Sequence, residues 1–220
     1  MKNPFCFCFR LAQLAVAWIV VANMFAAAHA YDQPQPPGSV NQNDHWDAVA
    51  LDVPDTPVLD QTGKEVRFYT DLVKGRTVAI NFIFTSCKTS CSTATALFSG
   101  VQQHLGKRVG QDIALISVSI DPASDTSEQL KHYATMFDAG EGWTFVRSTR
   151  AETDQLLKAL GAYSPDKITH TPLIVIGNDT TGNWTRLYGL ASVSTIATTI
   201  RDIADHRSMP TEDLSPSGQP

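Results

Sequence analysis

The sequence predicts an α/β fold, thioredoxin-like in its order of elements: a central mixed, mainly parallel sheet flanked by helices, with an N-terminal hairpin. Three short runs are almost continuously apolar, as expected of strands covered on both faces: Val78–Phe84, Ile113–Ile120 and Leu173–Ile176. Segments with apolar residues at helical spacing separate these runs. Strands that alternate with helices need crossover connections, and such connections produce parallel pairs.

The individual elements follow from local signals along the chain. A hairpin is expected over Val58–Phe68, where two strand-like segments flank a glycine turn. After the first apolar run, apolar residues recur at helical spacing, namely Ala94, Leu97, Phe98, Val101 and Leu105. Asp125 or Thr126 is expected to cap the second helix. The third helix covers Ala151–Leu160 and is expected to end at Gly161.

Two further strands and a last amphipathic helix complete the pattern. The strands are Trp143–Val146 and Trp184–Tyr188, and the helix presents one apolar face formed by Val193, Ile196, Ala197, Ile200, Ile203 and Ala204. In this order of elements, Cys87 and Cys91 lie where the first central strand ends and its helix begins. Open α/β sheets build their sites at that carboxyl edge.

The first thirty residues have the features of a secretory signal peptide. Lys2 and Arg10 give a basic start, Leu11–Phe25 is predominantly apolar, and Ala28-His29-Ala30 supplies a small-x-small cleavage site. An uncleaved membrane anchor is the alternative, because the apolar stretch approaches the roughly 20 residues that span a bilayer. We therefore expect a periplasmic protein, tethered to the membrane only if the leader is retained.

The rest of the chain divides by composition into three parts. Residues 31–48 are predicted to form a proline-rich linker, residues 49–206 one domain of ordinary size, and residues 207–220 a disordered tail. Export removes two basic residues, so 15 of the 17 remain against 22 acidic ones and the formal charge is −7. This acidic balance argues against a nucleic-acid partner, because phosphate binding depends on basic patches.

Export also changes the meaning of the four cysteines. Cys6 and Cys8 leave with the leader, so the mature chain keeps only Cys87 and Cys91, in a compartment where thiols tend to oxidise. A helix N-terminus stabilises thiolates, and Lys88 adds positive charge between them. Two thiolates at this spacing suit a soft ion such as Cu(I), but they can also form a redox dithiol or an inert bridge. The spacing alone leaves these three alternatives open.

His170 favours the metal among these alternatives. The segment His170-Thr171-Pro172 immediately precedes the third apolar run, and in a thioredoxin-like sheet that strand lies beside the cysteine-bearing one. A proline at this place resembles the cis-proline that contacts the thiols in that fold. Two thiolates and one neutral imidazole would form a three-coordinate site, open at a fourth position to a substrate or partner.

Several motifs together resemble the Sco/SenC family of thioredoxin-like copper proteins, which assist cytochrome c oxidase assembly. The motifs are "LDQTGK" (Leu59–Lys64), "FIFTSCKTSC" (Phe82–Cys91), "SVSIDPASDT" (Ser117–Thr126) and His170-Thr171 before a strand. The resemblance covers about Val53 to Ile203. It implies that Cys87, Cys91 and His170 ligate Cu(I) or Cu(II).

By the same resemblance, the protein would deliver copper to the binuclear copper site of the oxidase or reduce the cysteines of that site. Its partner would be an oxidase subunit or another copper or thiol protein. Family members usually carry proline after each cysteine, whereas this chain has Lys88 and Ser92, and Pro172 stands where many members have an aliphatic residue. These differences strengthen the alternative, a periplasmic thiol-disulfide oxidoreductase that uses Cys87 and Cys91 without a physiological metal, but they leave the three candidate ligands in place.

Overall fold

The computed structural model of the protein describes residues 45–87, 90–165 and 172–206. Its strands are β1 (His45–Val49), β2 (Pro57–Asp60), β3 (Glu65–Arg67), β4 (Thr77–Ile83), β5 (Ile113–Ser119), β6 (Trp143–Arg147), β7 (Leu173–Asn178) and β8 (Asn183–Tyr188). Its helices are α1 (Ser90–Leu105), α2 (Ser127–Met136), α3 (Arg150–Leu160) and α4 (Val193–Ala204). A π-helical turn at Phe68–Val73 follows β3, and a short 3-10 turn at Gly106–Arg108 follows α1.

The strands form one mixed sheet in the order β1-β8-β7-β4-β5-β6-β2-β3. Parallel pairing is confined to β4–β5 and β5–β6, and the other pairings between these strands are antiparallel. The mixed α/β class with helices on the sheet and an early hairpin, β2–β3, is therefore confirmed. The parallel part is smaller than predicted, because β7 follows α3 but runs against β4.

Every residue of β4 and β5 is buried, which explains their continuous apolar sequence. Alternate residues of β4 enter two different cores. Val78, Ile80 and Phe82 pack with residues of α3 and of the π-helical turn. Ala79 and Ile83 pack with α1, α2 and α4 on the opposite face. The sheet is thus covered on both sides, as the sequence predicts.

Short-range signals define the helix ends. Thr126 caps α2 and forms a capping box with Gln129, and Thr149 forms another with Glu152 at the start of α3. Gly161 ends α3 in the left-handed conformation, with φ of 75°. Asp125 and Thr126 were predicted as alternative caps of α2, and Thr126 is the N-cap. Asp125 has a different role, described below.

The predicted linker, residues 31–48, needs a correction at its C-terminal end. Residues His45–Val49 form the edge strand β1, which pairs with β8 from His45↔Tyr188 to Val49↔Trp184. The predicted signal peptide, residues 1–30, and the predicted tail, residues 207–220, lie outside the described residues. Within the described part, no helix is both long and apolar enough to cross a membrane.

Candidate metal centre

Cys87 and Cys91 lie at the carboxyl end of β4, as predicted. Strand β4 ends at Ile83, and a tight turn follows in which the Cys87 N–H donates to the Phe84 carbonyl oxygen at 3.1 Å. Cys91 is the second residue of α1. Both side chains are thiols, and both are buried, with 8% of Cys87 and 5% of Cys91 exposed. The fold thus places two buried cysteines at the N-terminus of a helix.

This setting gives the pair a definite chemical preference. Burial makes a charged thiolate costly unless a positive charge compensates it, and a helix N-terminus supplies only part of that charge. A soft monovalent cation bound between two thiolates would supply the rest. Two buried sulfur donors therefore fit Cu(I) as the bound ion.

The strand next to β4 brings a second part of the chain to the same edge. Strand β7 runs antiparallel to β4 with Asn81 opposite Ile174, so the chain enters β7 at Pro172 close to where β4 ends. The Gly189 N–H donates to the Pro172 carbonyl oxygen at 2.9 Å, which fixes this entry against the end of β8. The predicted adjacency of the two strands is confirmed.

His170, the predicted third ligand, lies outside the described residues, as does Thr171. Its place in the sequence is two residues before Pro172. In the part of the chain that the structure covers, no group of three or more His, Cys, Asp or Glu side chains could hold a metal ion. A third ligand of one of these four types would therefore come from outside that part, and the set Cys87, Cys91 and His170 stays a prediction.

A buried carboxylate holds the loop that leads to Cys87. Asp125 is 1% exposed, and its Oδ1 accepts from the Thr85 N–H at 3.1 Å and from the Thr85 hydroxyl at 2.6 Å. Its other oxygen accepts from the Ser119 hydroxyl at 2.5 Å. Thr85 is two residues before Cys87, so Asp125 connects the end of β5 to the cysteine loop. Asp125 belongs to the motif segment "SIDPASDT", but its position just before a helix predicted a helix cap and not a contact with Thr85.

Asp121 organises the turn between β5 and α2. Its carbonyl oxygen accepts from the Ser124 N–H at 3.0 Å and from the Asp125 N–H at 2.9 Å. Its own N–H donates to the Ser119 hydroxyl oxygen at 3.2 Å. This turn sets the position from which the Asp125 carboxylate reaches Thr85.

Three hydroxyl groups surround the backbone of the two cysteines. The Ser92 hydroxyl donates to the Cys87 carbonyl oxygen at 2.9 Å, and the Thr95 hydroxyl donates to the Cys91 carbonyl oxygen at 2.8 Å. The third is the phenol of Tyr133 on α2, which lies 3.1 Å from the Thr95 oxygen and close to the Ser92 side chain. Sequence reasoning missed all three, because each has the spacing of an ordinary helix residue.

The surroundings of Tyr133 raise the pKa of its phenol. Burial raises this pKa above its ordinary value of 10.0, and negative charge on Cys91 and Cys87 raises it further. Hydrogen bonding with Thr95 and Ser92 acts in the opposite direction without cancelling the shift. The phenol therefore stays protonated and can act as a hydrogen-bond donor beside the cysteines.

The other histidines of the described residues lie on other elements. His104 and His132 are exposed on α1 and α2. His45 is in the edge strand β1, and His206 follows α4. Trp143 and Trp184 are buried packing residues. Within the described residues, none of these histidines belongs to a group of three potential metal ligands.

Comparison with known proteins agrees with this geometry. The sequence model of the SCO1/SenC family matches residues 55–205. A curated relative, the SCO1 protein homolog of Bacillus subtilis (strain 168), is 35% identical over 88 residues, which are 40% of this chain and 44% of that protein. The chain thus matches less than half the length of this relative.

Solved structures of Sco proteins share the fold. BsSco, described as a member of the Sco family of cytochrome c oxidase assembly proteins with a disulfide switch, superposes with a TM-score of 0.61 at 25% identity, covering 72% of this chain and 96% of that one. Yeast Sco1 with copper bound superposes with a TM-score of 0.59 at 20% identity, covering 74% and 98%. The resemblance deduced from the motifs is confirmed: the chain belongs to the SCO1/SenC family.

Proposed function

We propose that the protein is an exported copper chaperone that binds Cu(I) or Cu(II) through Cys87, Cys91 and His170. The observation that carries this proposal is the pair of buried thiols at the carboxyl end of β4, beside the entry to the strand that directly follows His170. Copper bound in the structure of yeast Sco1 supports the choice of metal.

The client we propose is the binuclear copper site of cytochrome c oxidase, in line with the description of BsSco as a member of a family of oxidase assembly proteins. Copper is the cargo. The two thiolates and the imidazole of this chain hold it, and the fourth coordination position stays open to an incoming ligand of the client. Transfer then proceeds by exchange of ligands, and the protein keeps the ion away from water until the client binds.

Binding of Cu(I) to the reduced protein tests this proposal. The wild type should take up equimolar Cu(I), and His170→Ala should weaken binding by about 10–100-fold or more, since loss of a ligand exceeds the usual effect of outer-sphere changes. His104→Ala is the matched control, because it removes an exposed histidine from α1. Equal affinity of the wild type and His170→Ala would remove His170 from the site.

The second candidate is a thiol-disulfide oxidoreductase, favoured by Pro172 at the start of β7 and by the disulfide switch described for BsSco. In that reaction, one thiolate of this chain attacks a client disulfide and releases one client thiol. The second cysteine then breaks the mixed disulfide, which leaves a Cys87–Cys91 disulfide and two reduced client thiols. Two electrons pass to the client.

The reduction potential of the Cys87/Cys91 pair tests this second candidate. A potential near −270 mV would fit a reductant of client disulfides, whereas about −180 to −120 mV would fit an oxidant. A disulfide that does not exchange with small thiols would exclude catalytic turnover. In that case the cysteines would serve as metal ligands or as an inert bridge.

A further inference from the structure

The phenol of Tyr133 hydrogen-bonds the Thr95 hydroxyl, the group that holds the Cys91 carbonyl. Thr95 has a single hydroxyl proton and donates it to the Cys91 carbonyl oxygen at 2.8 Å. Its oxygen is therefore the acceptor in the 3.1 Å contact with Tyr133, and the phenol donates its one proton there.

This arrangement lies almost entirely out of water. Thr95 is fully buried and Tyr133 is 4% exposed. In such surroundings a hydrogen bond is stronger than in water, and a lost partner leaves a costly unpaired group. The phenol comes from α2, whereas Thr95 belongs to α1, so this hydrogen bond connects the start of α1 to a separate helix.

We propose that Tyr133 is a positioning residue for the dithiol: through Thr95, its hydroxyl holds the backbone of Cys91 at the start of α1 in the arrangement that keeps both sulfurs as thiols ready for a metal ion. The inference rests on the proposed function, since it names a group that prepares the same pair of sulfurs. The aromatic ring has a separate role, because it packs against Phe137 at 4.9 Å and Phe145 at 6.3 Å between ring centroids.

Tyr133→Phe separates the two roles, because it removes the hydroxyl and keeps the ring. We expect this variant to weaken Cu(I) binding about tenfold, the lower end of the usual effect of groups that orient metal ligands. We also expect the dithiol to become easier to oxidise by the same factor, which lowers its reduction potential by about 30 mV for a two-electron couple. A purely structural hydroxyl would change the stability of the fold and neither of these quantities.

The matched control is Tyr69→Phe, in which the phenol that is lost hydrogen-bonds Asp179 at the opposite end of the sheet. The proposal is supported if Tyr133→Phe shifts the Cu(I) affinity or the potential while Tyr69→Phe shifts neither. It is overturned if Tyr133→Phe shifts neither, or if both variants shift them equally.

A second variant and a metal-free measurement complete the test. Thr95→Val breaks the same network with the tyrosine in place, so it replaces Tyr133→Phe under the same criteria if that variant does not fold. The reduction potential needs no metal. If the wild type fails to bind Cu(I), the proposed function fails, and the potentials of the variants alone decide the role of Tyr133.

Discussion

Both ends of β4 carry hydrogen-bonded polar side chains, yet these side chains have different roles at the two ends. At the N-terminal end, the Asn178 amide donates to the Thr77 hydroxyl oxygen at 3.0 Å, and Asp179 accepts from the Gly75 N–H at 2.8 Å. These bonds join one strand end to its neighbour. A cavity of about 220 Å³ lies near this end, lined in part by Arg76 and Glu141, and none of its lining residues is a cysteine.

At the carboxyl end, the polar groups converge on one short loop. Asp125 holds Thr85 before Cys87, while Ser92 and Thr95 hold the carbonyls of the two cysteines from within α1. Hydrogen bonding is thus dense at both ends, and the difference lies in what it positions. At the N-terminal end the hydrogen bonds join β4 to β7, and at the carboxyl end they orient the two cysteines. The comparison makes testable predictions for each end.

The largest effect is expected for Asp125→Ala. This change leaves the Thr85 N–H and hydroxyl and the Ser119 hydroxyl without their acceptor, all of them buried or partly buried. We expect the free energy of unfolding, measured by urea denaturation, to fall by about 3 kcal/mol. The Cu(I) affinity of the protein that remains folded should fall as well, because the cysteine loop loses its anchor.

Asp125→Asn is the matched variant. Its amide oxygen can keep both bonds from Thr85, and its NH₂ group can donate to the Ser119 oxygen in place of accepting from it. We expect it to lose only about 1 kcal/mol. If Asp125→Ala unfolded at the same urea concentration as the wild type, the anchoring role would be refuted.

A smaller effect is expected from the equivalent change at the other end of the strand. Thr77→Val removes the acceptor of the Asn178 amide and keeps the shape of the side chain. Unfolding should become easier by about 1 kcal/mol, and Cu(I) affinity and reduction potential should stay at the wild-type values. A change in either of those two properties would show that the ends of β4 are not independent.

The smallest effect concerns alkaline pH. Burial raises the pKa of Tyr133 above 10.0, so ionisation is harder in the folded protein than in the unfolded chain. The stability contributed by this group is complete below pH 10 and is lost as the pH rises through the higher folded-state pKa. Urea denaturation between about pH 9 and 11 should show this decline, and Tyr133→Phe should flatten it. An identical decline in the variant would contradict the shift.

Most of the fold was predictable because burial imposes a pattern on the sequence. The buried strands β4 and β5 are recognisable by continuous apolar residues, and the ends of α2 and α3 by Thr126, Thr149 and Gly161. Strand β1 was missed because it is an edge strand: its partner, β8, lies about 140 residues away, and pairing at that distance leaves no local signal.

The site was predictable only where residue type reveals chemistry. Cysteines at the end of a buried strand directly indicate metal binding or thiol chemistry. Asp125 could satisfy either the first N–H groups of α2 or the distant Thr85, and its sequence neighbours favour the first. Tyr133 has the spacing of a core residue of an amphipathic helix, so its hydrogen bond to Thr95 appears only in three dimensions.

The most direct test of the central claim is X-ray absorption at the copper edge of the reduced protein loaded with equimolar Cu(I). We predict two sulfur ligands and one imidazole nitrogen, with the imidazole signal lost in His170→Ala and kept in His104→Ala. A spectrum that is the same with and without His170, or one without sulfur ligands, would contradict the account.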